Sequence, residues 1–207
     1  LPMFVILLVY LGAERPLRHH VRRLLMPWAI WSVVYSLAKV AQALIDGRSL
    51  LSEFEPWMVL TGPALHLWFL PFSVLFLATF GQIWKSVSIR IWLPFSLAIS
   101  MFALWMVNEH ALPTPVAQWF TVLPAGCLGL AMVGKNRSLT PLIVAILLMV
   151  PLTQVGWSVA TWQLMIASFA ILLALRIPIP NTALSNFLSG LSLGIYLMHP
   201  FIIALLA

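Results

Sequence analysis

The chain has 207 residues, of which 62% are hydrophobic and only 8% charged, with a formal net charge of +6. Soluble domains average about 25% charged residues, so the composition excludes an ordinary soluble domain and points to a membrane protein. The positive charge does not indicate nucleic acid, because the basic residues lie in short gaps between apolar runs, where they serve topology.

A bilayer-crossing helix needs an apolar run of about 17 to 25 residues. Eight segments read this way, over residues 1–11, 24–45, 64–81, 90–107, 115–133, 139–155, 158–175 and 185–206. The first is too short to cross. A signal peptide carries its positive charge ahead of the apolar region, whereas Arg15, Arg18, Arg22 and Arg23 follow this one and no initiator Met precedes it. The expectation is a chain that begins in mid-helix, with more sequence upstream. No polar block is long enough to fold separately, so residues 1–207 read as one transmembrane domain, all-α and polytopic.

Alternate connections differ sharply in basic content. Arg15, Arg18, Arg22, Arg23, Lys85, Arg90, Lys135, Arg137 and Arg176 fall in one set, Arg48 alone in the other, and Lys39 within a segment. Cytoplasmic loops retain Lys and Arg, so the first set is assigned to the cytoplasm. Asp46, Glu53, Glu55 and Glu109 fall in the opposite set. Trp28, Trp84 and Trp92 near inner ends, and Trp57, Trp119 and Trp157 near outer ones, read as interfacial belts. Cys127 lies inside an apolar run as a packing residue, and as the only cysteine it excludes an intrachain disulfide or a cysteine metal cluster.

Two segments carry polar stripes. Ser32, Tyr35, Ser36, Lys39 and Gln42 recur at three- and four-residue steps and share one face of the 24–45 helix, which should point into protein. Lys39 has two readings, facing inward with this stripe or snorkelling to the outer interface. In the last segment Ser185, Ser189, Ser192, Tyr196 and His199 line one side, beside the close pair Gly190 and Gly194. The plain alternative is interhelical hydrogen bonding, worth roughly 0.6 kcal/mol per contact. Pro71, Pro94, Pro141, Pro151 and Pro200 fall within or at the ends of segments, where kinks can open a cavity. The long acidic connection 46–63 is placed to cover its mouth.

His66 stands at the threshold of an apolar run reaching Phe80. An ionisable group there costs several kcal/mol unless it faces a cavity or sits in the headgroup zone. No phosphate-binding glycine loop, metalloprotease helix or nucleophile elbow is present, and no histidine pair has metal-ligand spacing. The cluster around Arg22 and Arg23 is either ordinary positive-inside anchoring or a site for a phosphorylated cytoplasmic donor.

Four stretches resemble the integral-membrane acyltransferase family three, bacterial proteins that O-acylate envelope glycans. Leu1-Pro2-Met3-Phe4 resembles the start of the family's second helix, and the stretch Val21-Arg22-Arg23 to Pro27-Trp28-Ala29-Ile30-Trp31-Ser32 its basic loop and third helix. More specific are His66-Leu67-Trp68-Phe69-Leu70 and Ser192-Leu193-Gly194-Ile195-Tyr196-Leu197-Met198-His199-Pro200, similar to its two signatures. Between residues 72 and 184 only hydropathy and order agree. Counting back from Pro27 puts His20 and Arg23 where the family has two arginines three apart, so the first arginine is replaced. The family's proposed catalytic histidine, preceded by an arginine, lies on a first helix absent from this sequence, and one more helix is expected after Ala207.

The resemblance implies a ten-helix bundle, of which eight segments are visible, in the bacterial inner membrane. It implies transfer of an acyl group, commonly acetyl, from cytoplasmic acyl-CoA to a hydroxyl of an envelope glycan or glycolipid. No metal and no permanently bound cofactor is expected. With the family histidine upstream, the candidates for catalysis are His66, His199 and Tyr196, and for substrate binding Arg22, Arg23, Trp68 and Ser192. A transporter or flippase for small solutes or lipid-linked glycans would also need kinked helices and polar stripes, and a structural subunit would use the stripes only as helix contacts.

Overall fold

The computed structural model describes residues 2–133, 139–154, 159–176, 194, 197 and 198, except for the side chains of residues 51, 52, 65, 66, 89 and 152–154. Every regular element among the described residues is helical. The principal helices are α1 (Pro2–Gly12), α2 (Leu17–Ile45), α3 (Phe69–Ser86), α4 (Ile89–Glu109), α5 (Val116–Met132), α6 (Thr140–Gln154) and α7 (Val159–Ala174). Two helices, Leu17–Ile45 and Arg90–Glu109, are long and apolar enough to cross a membrane.

Helix α5 is the centre of the bundle. It packs against α1, α3, α4, α6 and α7, most extensively against α4 and α1. Small residues explain this. Ala125, Gly126, Cys127, Gly129 and Ala131 are all buried along it, and a Cβ built on Gly129 would lie 2.8 Å from the Ile6 carbonyl oxygen and 2.9 Å from Val9 Cβ. Such backbone approach brings many weakly attracting atom pairs into range at once. Pro94, Pro124 and Pro151 lie inside α4, α5 and α6.

Most expected segments overlap a described helix, with two shifts. The basic stretch before residue 24, expected as a connection, is helical from Leu17 and continuous with the apolar run. Arginine is a good helix former, so charge does not end the helix there. The segment expected from 64 opens instead with a 3-10 turn, Leu65–Trp68, and its α-helix runs from Phe69 to Ser86. Pro71 falls in the first turn, where a missing N–H costs nothing. The next helix follows closely because the Ser88 side chain caps it, accepting from the Arg90 backbone N–H at 3.3 Å.

The interfacial-belt expectation fails for Trp92. It is 1% exposed, between Phe80 and Phe95, and its indole N–H is buried with no hydrogen-bond partner among the described residues. The sequence places it near a helix end, but packing against α3 draws it into the core. The expected last segment lies outside the described residues apart from 194, 197 and 198.

Candidate functional site

The basic end is built on the start of α2. Residues Val21–Leu25 form a π-helical turn inside the longer helix, and Pro27 supplies a reason. Pro27 has no N–H for the Arg23 carbonyl and its ring would crowd that group; the wider π spacing makes room. Arg22 and Arg23 are exposed on this turn, and neither is ion-paired among the described residues. Their guanidinium groups are open to an anion.

His20, where the resemblance leads one to expect an arginine, does something else. It is buried, and its Nε2–H donates at 2.8 Å to the Gly12 carbonyl at the end of α1, which also accepts from the Arg15 backbone N–H at 2.8 Å. A Cβ on Gly12 would meet the His20 ring at 2.7 Å, so the two residues fit as a pair. Burial pushes the imidazole below its ordinary range; the bond to Gly12 opposes that shift, and nearby His19, Arg15 and Arg23 add to it. His19 in turn accepts from Arg15 Nη1 at 3.0 Å. Of the arginine pair expected from the resemblance, only the Arg23 position faces outward.

The signature turn packs against the middle of α2. Gly62 takes φ +83°, a left-handed value that other residues resist, and a Cβ there would lie 2.8 Å from Ser32 Oγ and 3.0 Å from Leu67 Cδ1. The Ser32 hydroxyl oxygen is buried and has no hydrogen-bond partner among the described residues. His66 belongs to the turn by its backbone, and its side chain lies outside the described residues. Trp68 is buried, edge-on to Phe72 with ring centroids 6.1 Å apart. Nine residues, or about 14 Å of helix, separate Ser32 from Arg23.

The polar stripe of α2 continues from Ser32. Tyr35 donates its hydroxyl hydrogen to the Leu197 carbonyl at 3.0 Å, which joins α2 to the last segment inside the Ser192-to-Pro200 signature. Lys39 Nζ donates to the Glu53 carbonyl at 3.4 Å, which ties it to the 46–63 connection. The stripe therefore ends by leaving the bundle. Gln42 is exposed and donates to Asp46, and with Arg48 it holds the Asp46 carboxyl below its ordinary value. Arg48 also pairs with Glu53. Gly47, at φ +65°, turns the chain out of α2 as helix ends favour, with the Arg48 N–H donating to the Ala43 carbonyl at 2.9 Å.

Beyond Trp68 lies a groove of about 360 Å³ lined by Phe72, Leu75, Phe76, Thr79 and Phe80 of α3 and Trp119, Phe120 and Leu123 of α5. The hydroxyl of Thr79 is turned to the backbone, donating to the Leu75 carbonyl at 2.9 Å. The groove is not anticipated from the sequence, although phenylalanines at 72, 76 and 80 share a helix face. Likewise the Ser32 and Gly62 contact is signalled only by the Gly62-Pro63 pair.

Of the seven candidates, Arg22, Arg23 and Trp68 are described in full, whereas Ser192, Tyr196 and His199 lie outside the described residues. Trp68 and the His66 backbone share a turn; Arg22 and Arg23 lie on another part of α2. No group of three or more His, Cys, Asp or Glu able to hold a metal occurs among the described residues. No family model, curated protein or solved structure matches the chain.

Proposed function

We propose that the chain is the membrane domain of a bacterial inner-membrane acyltransferase that moves an acyl group from cytoplasmic acyl-CoA to a hydroxyl of an envelope glycan or glycolipid. The observation that carries this reading is a convergence on α2. Its polar stripe meets the His66-to-Trp68 turn through Ser32 and Gly62, and the Ser192-to-Pro200 signature through Tyr35 and Leu197. Those are the two more specific of the four stretches that resemble the acyltransferase family. The bilayer setting is supported by exposed apolar side chains such as Ile30, Val33 and Leu37 on α2 and Leu147 and Ile166 on α6 and α7; soluble monomers rarely expose large contiguous apolar patches.

In this reading the Arg22 and Arg23 end is cytoplasmic and the 46–63 connection external. Arg22 and Arg23 hold donor phosphates by charge-assisted hydrogen bonds. A neutral imidazole, from His66 or His199, takes the acceptor hydroxyl proton as the oxygen attacks the thioester carbonyl. The C–O bond forms, the C–S bond breaks, and the thiolate leaves to regain a proton as free CoA. Tyr196, Trp68 and Ser192 line the path.

Membranes holding the full-length protein, supplied with acyl-labelled acetyl-CoA and candidate acceptors, test this directly. Label should appear on the acceptor and fall when Arg23 is replaced by Ala. Movement of glycan across the membrane with no label transfer would establish the flippase instead.

A further inference from the structure

The groove along α3 is a row of stacked rings. Phe72 and Phe76 have centroids 5.8 Å apart, and Phe76 and Phe80 5.0 Å. Four-residue steps hold three rings on one face over about 12 Å of helix. Trp119 and Leu123 of α5 wall the row. The volume of about 360 Å³ falls within the roughly 300–1,000 Å³ of small-molecule sites. The lining holds two polar groups: the Thr79 hydroxyl, committed to the Leu75 carbonyl, and the Trp119 indole N–H, which is buried and has no partner among the described residues. A sugar, a headgroup or a peptide would leave most of its polar groups unpaired here, whereas an extended hydrocarbon chain has none to pair.

The near end identifies the chain. Phe72 is in edge contact with Trp68, which closes the turn that carries His66. The groove thus begins at the candidate transfer site. We propose that it holds the acyl chain of the donor during transfer, so that the substrate is an acyl-CoA with a medium, unbranched chain in preference to acetyl-CoA. The proposal rests on the acyltransferase reading. The bonds made and broken are unchanged, and the groove acts only on which thioester is positioned.

Gly126 sets the depth of the groove, because a Cβ there would meet the Phe76 ring at 2.8 Å and push it into the space. The test compares initial transfer rates from acetyl-CoA and octanoyl-CoA in membranes holding the full-length protein. Wild type should favour octanoyl by at least about ten-fold in kcat/KM, the worth of one well-buried methylene in a specificity pocket. Gly126→Ala should lose about ten-fold with octanoyl while acetyl stays within about two-fold. Thr79→Phe, at an exposed rim position, fills the same space and should give the same split if Gly126→Ala fails to fold.

A wild type that prefers acetyl, or variants that lose both donors equally, would overturn the groove as acyl site and leave the acyltransferase reading standing. Transfer of neither donor to any acceptor would overturn both. A phospholipid with a photoreactive tail that labels Phe76 equally with and without saturating octanoyl-CoA would assign the groove to bilayer lipid and overturn the proposal.

Discussion

Helices α2 and α5 are both apolar, yet they sit in opposite surroundings. Along α5 every residue from Pro124 to Met132 is buried. Along α2 only His20, Leu24 and Ala43 are, and Leu37 and Ile45 are 64% and 79% exposed. The difference lies in side-chain size and placement. In α5, Ala and Gly let neighbouring helices close in from several sides, whereas α2 presents Met26, Ile30, Val33 and Leu37 along one outward face and its polar stripe along another. Hydropathy reports that a helix avoids water. It does not report whether protein or lipid replaces the water.

Matched truncations should separate the two helices most widely. Leu128→Ala, at 1% exposure in α5, should cost about 3 kcal/mol, within the range for buried leucines. Thermal unfolding of the purified protein measures it, and a loss below that of a surface substitution would show that α5 is not the core. Gly129→Ala is the next largest. Its Cβ has no flexible side chain to displace at the Ile6 carbonyl, so about 2 kcal/mol is expected from overpacking, while Ala38→Leu on the more open α2 should be tolerated.

Tyr35 joins α2 to the last segment through a hydrogen bond. Tyr35→Phe leaves the Leu197 carbonyl without that donor and should cost about 1 kcal/mol, with a fall in acyl transfer if the contact positions the last segment. At the bottom of the scale, Leu37→Ala on the outward face should change stability by less than about 0.5 kcal/mol. A loss as large as that of Leu128→Ala would mean that another protein surface covers this face.

The remaining contrast is in pH. His20 lies at the buried join of α2 and α1, and its folded pKa lies below the unfolded value near 6.5. The unfolded chain therefore takes up a proton first as the pH falls, so stability is complete above pH 6.5 and declines below it. His20→Gln can keep a donor toward the Gly12 carbonyl and does not titrate. Melting curves taken down to about pH 5 should be flatter for the variant than for wild type; equal slopes would remove His20 as the acid-sensitive group.

Much of the fold is legible because its signals are local. The 24–45 run ends where Asp46-Gly47 lets the chain turn, and the runs at 90–107 and 115–133 each lie within two residues of a helix in the structure at either end. The upstream extension of α2 is not legible, because charge suggests a connection while arginine keeps helical propensity. Trp92 misleads for a related reason: nearness to a segment end says nothing about what packs over it. Of the candidate site, the stripe from Ser32 to Gln42 is readable from spacing alone. That Lys39 leaves it for the Glu53 carbonyl, and that His20 seals against Gly12, are decided by groups eight or more residues away.

The sequence by itself determined an all-helical chain, the acidic turn that ends the 24–45 run, and the faces on which polar and aromatic residues fall. These follow from composition and a period of 3.6 residues, which need no neighbour to define them. Tertiary structure decided that α5 and not α2 is the core, that Gly62 brings the His66 turn against Ser32, and that Phe72, Phe76 and Phe80 form one wall of a groove with α5. Each of these depends on how closely two backbones approach, a distance set by side chains that lie far apart in the chain.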